Sequence, residues 1–319
     1  MRAAIILAAG HGKRMRSPLP KVLHPVLGRP MVLRVADAGR EAGLDRTVVV
    51  VGHAREQVIP VLESQGLAWA IQEEQLGTAH ALDCGLSAIG NLEPEEVCVL
   101  LGDVPLIRAG TVRKLMETRR TTDSAITVLT TMLDDPAGYG RVVRSGAGDV
   151  ITEIVEDGDS SSRQREIREI NTGLMAFDGE RVRQLLDRIG TDNSQGEYYL
   201  TDAVAVAVGD GLRVTASLAA DSREVSGVNN PLQLAACTGE LRRRIVERHL
   251  LNGVVIPDPD TVWIEDGVSI GQGSSVGRLC RLSGATAIGE GCTVGDGAVL
   301  EDAKLPDGAT VEPFTLLRG

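Results

Sequence analysis

Short, continuous apolar runs alternate with amphipathic segments up to about residue 226. The runs occupy residues 3–7, 47–51, 97–101 and 126–130. Val, Ile and Leu without polar alternation are typical of strands that are covered on both faces. Together with the helical patterns between them, they predict an α/β domain with a mostly parallel sheet over residues 1–228. Ligands in such sheets bind beyond the carboxyl ends of the strands.

A helix is predicted next, because Asn229-Asn230-Pro231 combines a capping asparagine with a proline at the first helical position. Apolar residues then recur at helical spacing to Leu251, and Gly253 ends the pattern. The character of the sequence changes beyond this point. We therefore predict a connector helix between two domains, over residues 229–253.

Beyond the helix, an aliphatic residue recurs every six positions, and glycines fill the corners between them. This period is typical of a parallel β-helix, in which each face of a coil contributes one inward aliphatic residue. We predict a short left-handed β-helix of about three coils over residues 254–319. The repeating residues are Ile264, Ile270, Val276, Leu282, Ile288, Val294, Leu300 and, after one slip, Val311.

Composition restricts the possible partners. The 319 residues carry a formal net charge of −11, which disfavours a polynucleotide because nucleic acid requires a basic face. No apolar run approaches the roughly 20 residues of a membrane helix, and no signal-peptide pattern follows Met1, so we expect a cytoplasmic protein without a membrane partner. The five scattered cysteines indicate neither a zinc site nor a disulfide framework.

The loop after the first apolar run is suited to a small phosphorylated ligand. It reads LAAGHGKRM over residues 7–15, and Lys21 follows soon after. Gly10 and Gly12 allow backbone amides to approach phosphates, while Arg14 and Lys21 can neutralise a triphosphate. The spacing fits neither the Walker loop nor the dinucleotide fingerprint. The alternative is a glycine turn beside solvated basic residues.

Taken in order, the motifs of the chain resemble those of the sugar-1-phosphate nucleotidyltransferases, and within them the bacterial N-acetylglucosamine-1-phosphate uridyltransferases. The resemblance implies a Rossmann-like nucleotidyltransferase domain followed by a β-helix. It also implies Mg²⁺-dependent joining of UTP and a sugar 1-phosphate, with release of pyrophosphate, in the supply of UDP-N-acetylglucosamine for cell-wall peptidoglycan. Besides the loop at residues 7–15, the motifs are PKVLH (20–24), EQLGT (74–78), GDVP (102–105), GYGR (138–141), EINTG (169–173), GEYY (196–199) and GVNN (227–230).

At matching positions, the resemblance implies a nucleotide site. Gln72, Gly77 and Thr78 would contact the uracil edge, although by themselves Gln72 and Thr78 would suit a surface strand and turn. Amide groups suit this task, because a site built to pair with one base leaves buried groups unpaired when another enters. The implied nucleotide-binding residues are Leu7, Ala8, Ala9, Gly10, Gly12, Arg14, Lys21, Gln72, Gly77 and Thr78.

The resemblance also implies a sugar-phosphate site and a cation site. Asp103 and Asn229 would coordinate Mg²⁺, which suits an ion that takes further ligands from water and substrate. Without the resemblance, Asp103 could belong to a turn and Asn229 could be a helix cap. The implied sugar-phosphate residues are Leu101, Gly102, Asp103, Gly140, Glu156, Asn171, Tyr199 and Asn229.

No nucleophile or base is expected from the protein, because the sugar 1-phosphate is itself mostly dianionic above a second pKa of about 6. The protein would align two anions and stabilise charge on the α-phosphate and the leaving pyrophosphate. The catalytic candidates are Arg14, Lys21 and Asp103.

The chain departs from the family at three places. Leu101 stands where Tyr is common, and Gly158 stands where many relatives carry Lys, so the identity of the sugar stays open. The chain also ends before the segment that carries acetyltransferase groups, so we expect no acetyltransferase activity. A homo-oligomer is compatible with the pattern, although a short β-helix leaves a trimer open.

Two alternatives follow from these departures. One is a relative that activates another sugar 1-phosphate or uses dTTP. The other is a regulator that binds a nucleotide sugar without turnover. The presence of Arg14, Lys21, Asp103 and Asn229 together argues against the regulator, which would need neither the metal pair nor the triphosphate contacts.

Overall fold

The computed structural model describes residues 1–90, 92–145 and 150–319. These residues fold as two compact units. The first comprises residues 1–24 and 31–230, and the second comprises residues 25–30 and 231–319. The short segment 25–30 thus joins the C-terminal unit, which the sequence did not predict.

The first unit is an α/β structure built, in the described residues, on a nine-stranded sheet. Numbered along the whole chain, its strands are β1 (Arg2–Leu7), β4 (Arg46–Val51), β5 (Ala68–Ile71), β6 (Glu96–Leu101), β7 (Ile126–Met132), β8 (Arg141–Arg144), β9 (Ile151–Val155), β10 (Glu169–Asp178) and β11 (Val214–Leu218). Its helices are α1 (Met31–Glu41), α2 (Arg55–Glu63), α3 (Thr78–Ala88), α4 (Ala109–Thr122), α5 (Ser162–Arg165), α6 (Val182–Leu186) and α7 (Asp202–Gly209).

The main path of the sheet runs β11-β7-β10-β6-β1-β4-β5. Neighbouring strands are parallel except at β10, which is antiparallel to both β6 and β7. Strands β8 and β9 form an antiparallel extension beside β10. The predicted mostly parallel α/β sheet is confirmed, and the four predicted strands are β1, β4, β6 and β7; the antiparallel strand β10 was not predicted.

Both faces of the sheet are covered, which explains the uninterrupted apolar runs. In β1, Ala3 and Ile5 are fully buried in a core with residues of α3, α6 and α7. Ala4 and Ile6 are fully buried in a second core with residues of α1, α2 and α4. Successive residues of a strand face opposite sides, so every position of such a strand must be apolar.

The second unit contains α8 (Pro231–Leu251), a small hairpin of β2 (Pro25–Val26) and β3 (Arg29–Pro30), and a coil of short parallel strands. Leu27 of the hairpin, Ile245 of α8 and the coil residues share one core. The coil strands are β12 (Trp263–Ile264), β13 (Ser269–Ile270), β14 (Ser275–Val276), β15 (Arg281–Ser283), β16 (Ala287–Ile288), β17 (Thr293–Val294), β18 (Val299–Glu301), β19 (Lys304–Leu305), β20 (Thr310–Val311) and β21 (Leu316–Arg318).

The repeating aliphatic residues stack in successive turns of this coil, as a β-helix requires. The three faces run β12-β15-β18-β21, β13-β16-β19 and β14-β17-β20. Ile264, Leu282 and Leu300 lie one above the other on the first face, and all three are fully buried. After Leu300 the repeat shortens by one residue, so that Leu305 pairs above Ile288. None of the helices described is long and apolar enough to cross a membrane.

Candidate active site

A cavity of about 350 Å³ opens in the first unit where β1, β5 and β6 end and α3 begins. This is the edge at which a parallel sheet binds ligands. Many residues predicted for the nucleotide and the sugar phosphate share its wall. They are Leu7, Ala8, Ala9, Gly10, Lys21, Gln72, Gly77, Thr78, Leu101 and Asp103.

The loop after β1 is held against the sheet by backbone hydrogen bonds. Ala8 N donates to Val50 O at 2.9 Å, which keeps the first loop residue in line with β4. Gly12 has a φ of 59°, and a Cβ added there would lie 2.7 Å from Lys21 Cβ. The loop therefore needs glycine at this position in order to reach Lys21. Arg14 is exposed and is not among the residues that line the cavity, so its contact with the triphosphate stays a prediction.

Three residues from distant parts of the chain meet beside this loop, and we call them the cation cluster: Lys21, Asp103 and Asn229. Lys21 Nζ lies 2.5 Å from Asp103 Oδ2 and 3.1 Å from Asn229 Oδ1. Asp103 lies two residues beyond the end of β6, and Val228 N donates to its carbonyl oxygen at 2.9 Å, which brings the segment before α8 to the same point. Thus the carboxylate and the amide oxygen converge on a single cation.

This convergence fits the predicted Mg²⁺ ligands. A carboxylate and an amide oxygen are hard ligands of the kind that Mg²⁺ prefers, with water and phosphate completing its shell. Among the described residues no group of three or more His, Cys, Asp or Glu side chains could hold a metal. A metal bound at Asp103 and Asn229 would accordingly depend on its substrate for further ligands.

Gln72, at the end of β5, is buried and only 3% exposed, so the surface interpretation of this residue is wrong. Its Nε2 donates to Gly77 O at 3.0 Å. Gly77 has a φ of 119°, and a Cβ added to it would lie 2.7 Å from Tyr198 N. Thr78 Oγ1 accepts a hydrogen bond from Leu200 N at 2.9 Å. The motifs at residues 74–78 and 196–199 are therefore packed together at the cavity.

The predicted sugar-side residues form a second group. Gly140 O accepts from Asn171 N at 2.8 Å, and Glu156 Oε1 accepts from the Thr201 hydroxyl at 3.1 Å. Burial raises the pKa of Glu156, the Thr201 hydrogen bond opposes this, and the charges of Asp202, Asp159 and Asp157 add to it. We call Glu156, Asp157, Asp159 and Asp202 the acidic cluster.

Tyr199 lies close to this cluster. Burial raises the pKa of its phenol, as do the charges of Asp159, Glu156 and Glu197, while Ser194 lowers it. Gly140 lies beside Glu156, and a Cβ there would lie 3.1 Å from Ile154 Cγ2, which is closer than ordinary van der Waals contact.

Leu101 supplies an apolar wall where Tyr is common in the resembled family. Gly173, with a φ of 80°, packs against it, and a Cβ at Gly173 would lie 2.7 Å from Leu101 Cδ1. Gly102 N donates to Leu7 O at 2.9 Å, which ties β6 to the loop. Gly158 is exposed, and a Cβ added there would lie 3.4 Å from Ser194 Oγ.

Sequence reasoning missed several residues of the site. Burial raises the pKa of the Tyr139 phenol, and the charge of Asp103 adds to this. Tyr139 belongs to a motif of which only Gly140 was selected, and Gln75, Glu197 and Val22 likewise lie within the motifs named above. The cavity residues not predicted are His11, Val22, Gln75, Ala81 and Glu197.

Known proteins resemble this chain over nearly its whole length. Residues 4–167 match the model of the MobA-like NTP transferase domain. The chain is 45% identical to the "Bifunctional protein GlmU" of Streptomyces avermitilis over 312 residues, which cover 97% of this chain and 65% of that protein. It is 44% identical to the proteins of the same name from Corynebacterium aurimucosum, over 97% of this chain and 64% of that protein, and Mycobacterium tuberculosis, over 99% and 68%.

The chain thus spans about two thirds of the length of these relatives, with 65% of the first. The matched family segment includes the loop after β1, Gln72 and Asp103, which line the cavity, whereas Glu197 of the cavity wall lies beyond it. The chain therefore belongs to the MobA-like NTP transferase domain family, and it is homologous along nearly its whole length to the bifunctional GlmU proteins.

Proposed function

We propose that the chain transfers a uridylyl group from UTP to N-acetylglucosamine 1-phosphate, in the cytoplasm and with Mg²⁺, releasing pyrophosphate. The observation that carries the proposal is the convergence of Lys21, Asp103 and Asn229 beside the loop after β1. A cation site next to a phosphate-binding loop suits a triphosphate better than a neutral ligand. Homology to the GlmU proteins supports the same choice.

The proposed reaction breaks the bond between the α- and β-phosphates of UTP. An oxygen of the sugar phosphate forms a new bond to the α-phosphorus, and the β- and γ-phosphates leave as pyrophosphate. This oxygen is already anionic near neutral pH, since the second phosphate pKa is about 6, so no protein base is needed. The protein's task is to hold two repelling anions in line.

Named residues of this chain serve that task. The loop at residues 7–12 offers backbone amides at the cavity, and Lys21 offers an ammonium group to the phosphates. Asp103 and Asn229 would hold Mg²⁺, which when bound neutralises phosphate oxygens and favours departure of pyrophosphate. Gln72 and Gly77 would contact the uracil.

The acidic cluster suits the sugar of the second substrate, the sugar 1-phosphate. A half-buried carboxylate such as Glu156 and a buried amide such as Asn171 pair with hydroxyl and N-acetyl groups. We place the sugar beside Gly140, Glu156, Asn171 and Tyr199, with its phosphate directed to the cation cluster. Another sugar 1-phosphate is the competing candidate. Leu101 gives the cavity an apolar wall at a position where the resembled family commonly has Tyr.

Pyrophosphate release tests the proposal. The full chain is supplied with Mg²⁺, one of UTP, dTTP, ATP, CTP or GTP, and the 1-phosphate of N-acetylglucosamine, glucosamine, glucose or galactose. We expect release chiefly with UTP and N-acetylglucosamine 1-phosphate. Release with another pair would assign another substrate, and binding of UDP-sugar without release from any pair would support the regulator.

Two further expectations remain predictions. The absence of acetyltransferase activity is tested by offering acetyl-CoA and glucosamine 1-phosphate and following free thiol. The oligomeric state is tested by sedimentation of the chain in solution, where a trimer would triple the mass of 33.8 kDa.

A further inference from the structure

Gln72 is the end of a hydrogen-bonded chain that runs away from the cavity. Its Nε2 contacts Gly77 O at 3.0 Å and His80 Nδ1 at 3.2 Å. His80 Nε2 in turn lies 3.6 Å from Cys84 Sγ. His80 and Cys84 lie one turn apart on α3, so the helix that begins at the cavity also holds the partners of Gln72.

The direction of these hydrogen bonds is fixed by chemistry. A carboxamide nitrogen only donates, and it has two hydrogens, so one goes to Gly77 O and the other to His80 Nδ1. His80 must therefore be neutral at Nδ1 and carry its proton on Nε2, which donates to the Cys84 sulfur. Burial raises the pKa of Cys84, and the Asp83 charge adds to this, so its sulfur stays a thiol acceptor.

Both hydrogens of the carboxamide are thus engaged, and Gln72 Oε1 is the polar atom that the side chain offers to the cavity. No donor among residues 1–90, 92–145 and 150–319 forms a hydrogen bond to it. Turning the amide over would place its oxygen against Gly77 O, which is an acceptor in either tautomer of His80. Such a contact leaves a buried acceptor pair unsatisfied, which is unfavourable.

An acceptor fixed in this way distinguishes bases. Uracil carries a hydrogen on N3, which can donate to Oε1, whereas N3 of cytosine is itself an acceptor and would face Oε1 without a hydrogen. We propose that His80 is a positioning residue for base selection: its Nδ1 holds the Gln72 carboxamide with the oxygen towards the nucleotide, so that a base with an N3 hydrogen is chosen over cytosine. The proposal rests on the proposed nucleotidyltransferase function.

Two substitutions at His80 separate this role from simple packing. His80→Phe keeps a ring of similar shape but has no acceptor for Gln72. His80→Asn is smaller, but its Oδ1 can take the place of Nδ1 and accept the same hydrogen. If His80 only filled space, His80→Phe would preserve the preference for UTP better than His80→Asn. If His80 positions the Gln72 amide, His80→Asn would preserve that preference better.

The experiment measures kcat/KM for UTP and for CTP with N-acetylglucosamine 1-phosphate, and the Kd of both nucleotides by calorimetry without the sugar phosphate. For His80→Phe, we expect the preference for UTP over CTP to fall by about tenfold in both measurements, the equivalent of one hydrogen bond. For His80→Asn, the preference should stay within about twofold of the wild type. Thermal unfolding of each variant confirms that it is folded before the comparison.

The outcomes are distinguishable. If the wild-type chain releases no pyrophosphate with any nucleotide and does not prefer UTP in binding, the proposed function fails. If the wild type prefers UTP and folded His80→Phe keeps that preference, the positioning role is wrong while the function stands. A larger loss in His80→Asn than in His80→Phe would also contradict the role, since it would identify His80 as a packing residue.

Discussion

Asp103 of the cation cluster and Glu156 of the acidic cluster lie in the same unit, but their negative charges meet opposite surroundings. In the cation cluster, Asp103 is paired with Lys21 at 2.5 Å, so its negative charge is balanced by a neighbour. In the acidic cluster, Glu156 has the neutral Thr201 hydroxyl as its hydrogen-bond partner, and burial raises its pKa. In an ion pair such as this one, the carboxylate can exchange its ammonium partner for a metal ion, and the ammonium group can exchange the carboxylate for a phosphate. A carboxyl group without an ion-pair partner, such as Glu156, favours neutral hydrogen-bond donors. The first arrangement suits phosphate chemistry and the second suits sugar recognition.

The largest expected effect comes from removing the carboxylate of the cation cluster. Asp103→Ala should lower kcat for pyrophosphate release by at least about a hundredfold, because the predicted metal ligand is lost and Lys21 loses its ion-pair partner. Mn²⁺ affinity in the presence of UTP, followed by electron paramagnetic resonance, should fall in parallel.

The matched control for this variant is Asp134→Ala, which removes a side chain that is 98% exposed and paired with Arg168. It should leave kcat within about twofold, as is usual for surface changes. Wild-type activity in folded Asp103→Ala would make the metal assignment wrong.

A smaller loss is expected when the cation of the cluster is removed. Lys21→Met keeps the aliphatic stem that packs beside Gly12 but lacks the ammonium group, so kcat/KM for UTP should fall by about ten- to a hundredfold. Lys13→Met removes an exposed charge from the same loop and should change kcat/KM by less than about twofold. Equal losses in the two variants would show that the loop needs only general positive charge.

The smallest effect is expected in the acidic cluster. The raised pKa of Glu156 means that the folded chain holds this proton more tightly than the unfolded chain. The stability that this gives is full below the ordinary pKa of 4.5 and is lost as pH rises through the raised pKa.

Glu156→Gln removes this titration. Its free energy of unfolding relative to the wild type should therefore be higher at pH 7 than at pH 4, by less than about 1 kcal/mol. Urea unfolding at both pH values measures it. The KM for the sugar 1-phosphate should rise by no more than about tenfold, and a loss of kcat as large as that of Asp103→Ala would contradict the comparison of the clusters.

The fold was predictable where one physical requirement repeats along the chain. The runs in β1, β4 and β6 are apolar on both faces because both faces are buried, and the stack of Ile264, Leu282 and Leu300 is aliphatic at every turn. The antiparallel direction of β10 and the hairpin at residues 25–30 depend on long-range packing, for which no periodic pattern exists.

The site was predictable only in part for the same reason. The loop after β1 and the position of Asp103 follow from strand ends and from the resemblance. By contrast, Glu197 reaches the cavity because Tyr198 N donates to Leu76 O at 2.8 Å, which joins segments about 120 residues apart. The partnership of Gln72 with His80 could not be predicted, since it depends on how β5 and α3 pack.

The most direct measurement is the anomalous signal of Mn²⁺ in crystals of the chain grown with UTP. Our account predicts a Mn²⁺ peak at bonding distance from an Asp103 carboxylate oxygen and Asn229 Oδ1, with the uracil against Gln72 and the triphosphate along the loop at residues 7–12. A nucleotide bound elsewhere, or a metal that contacts neither Asp103 nor Asn229, would contradict it.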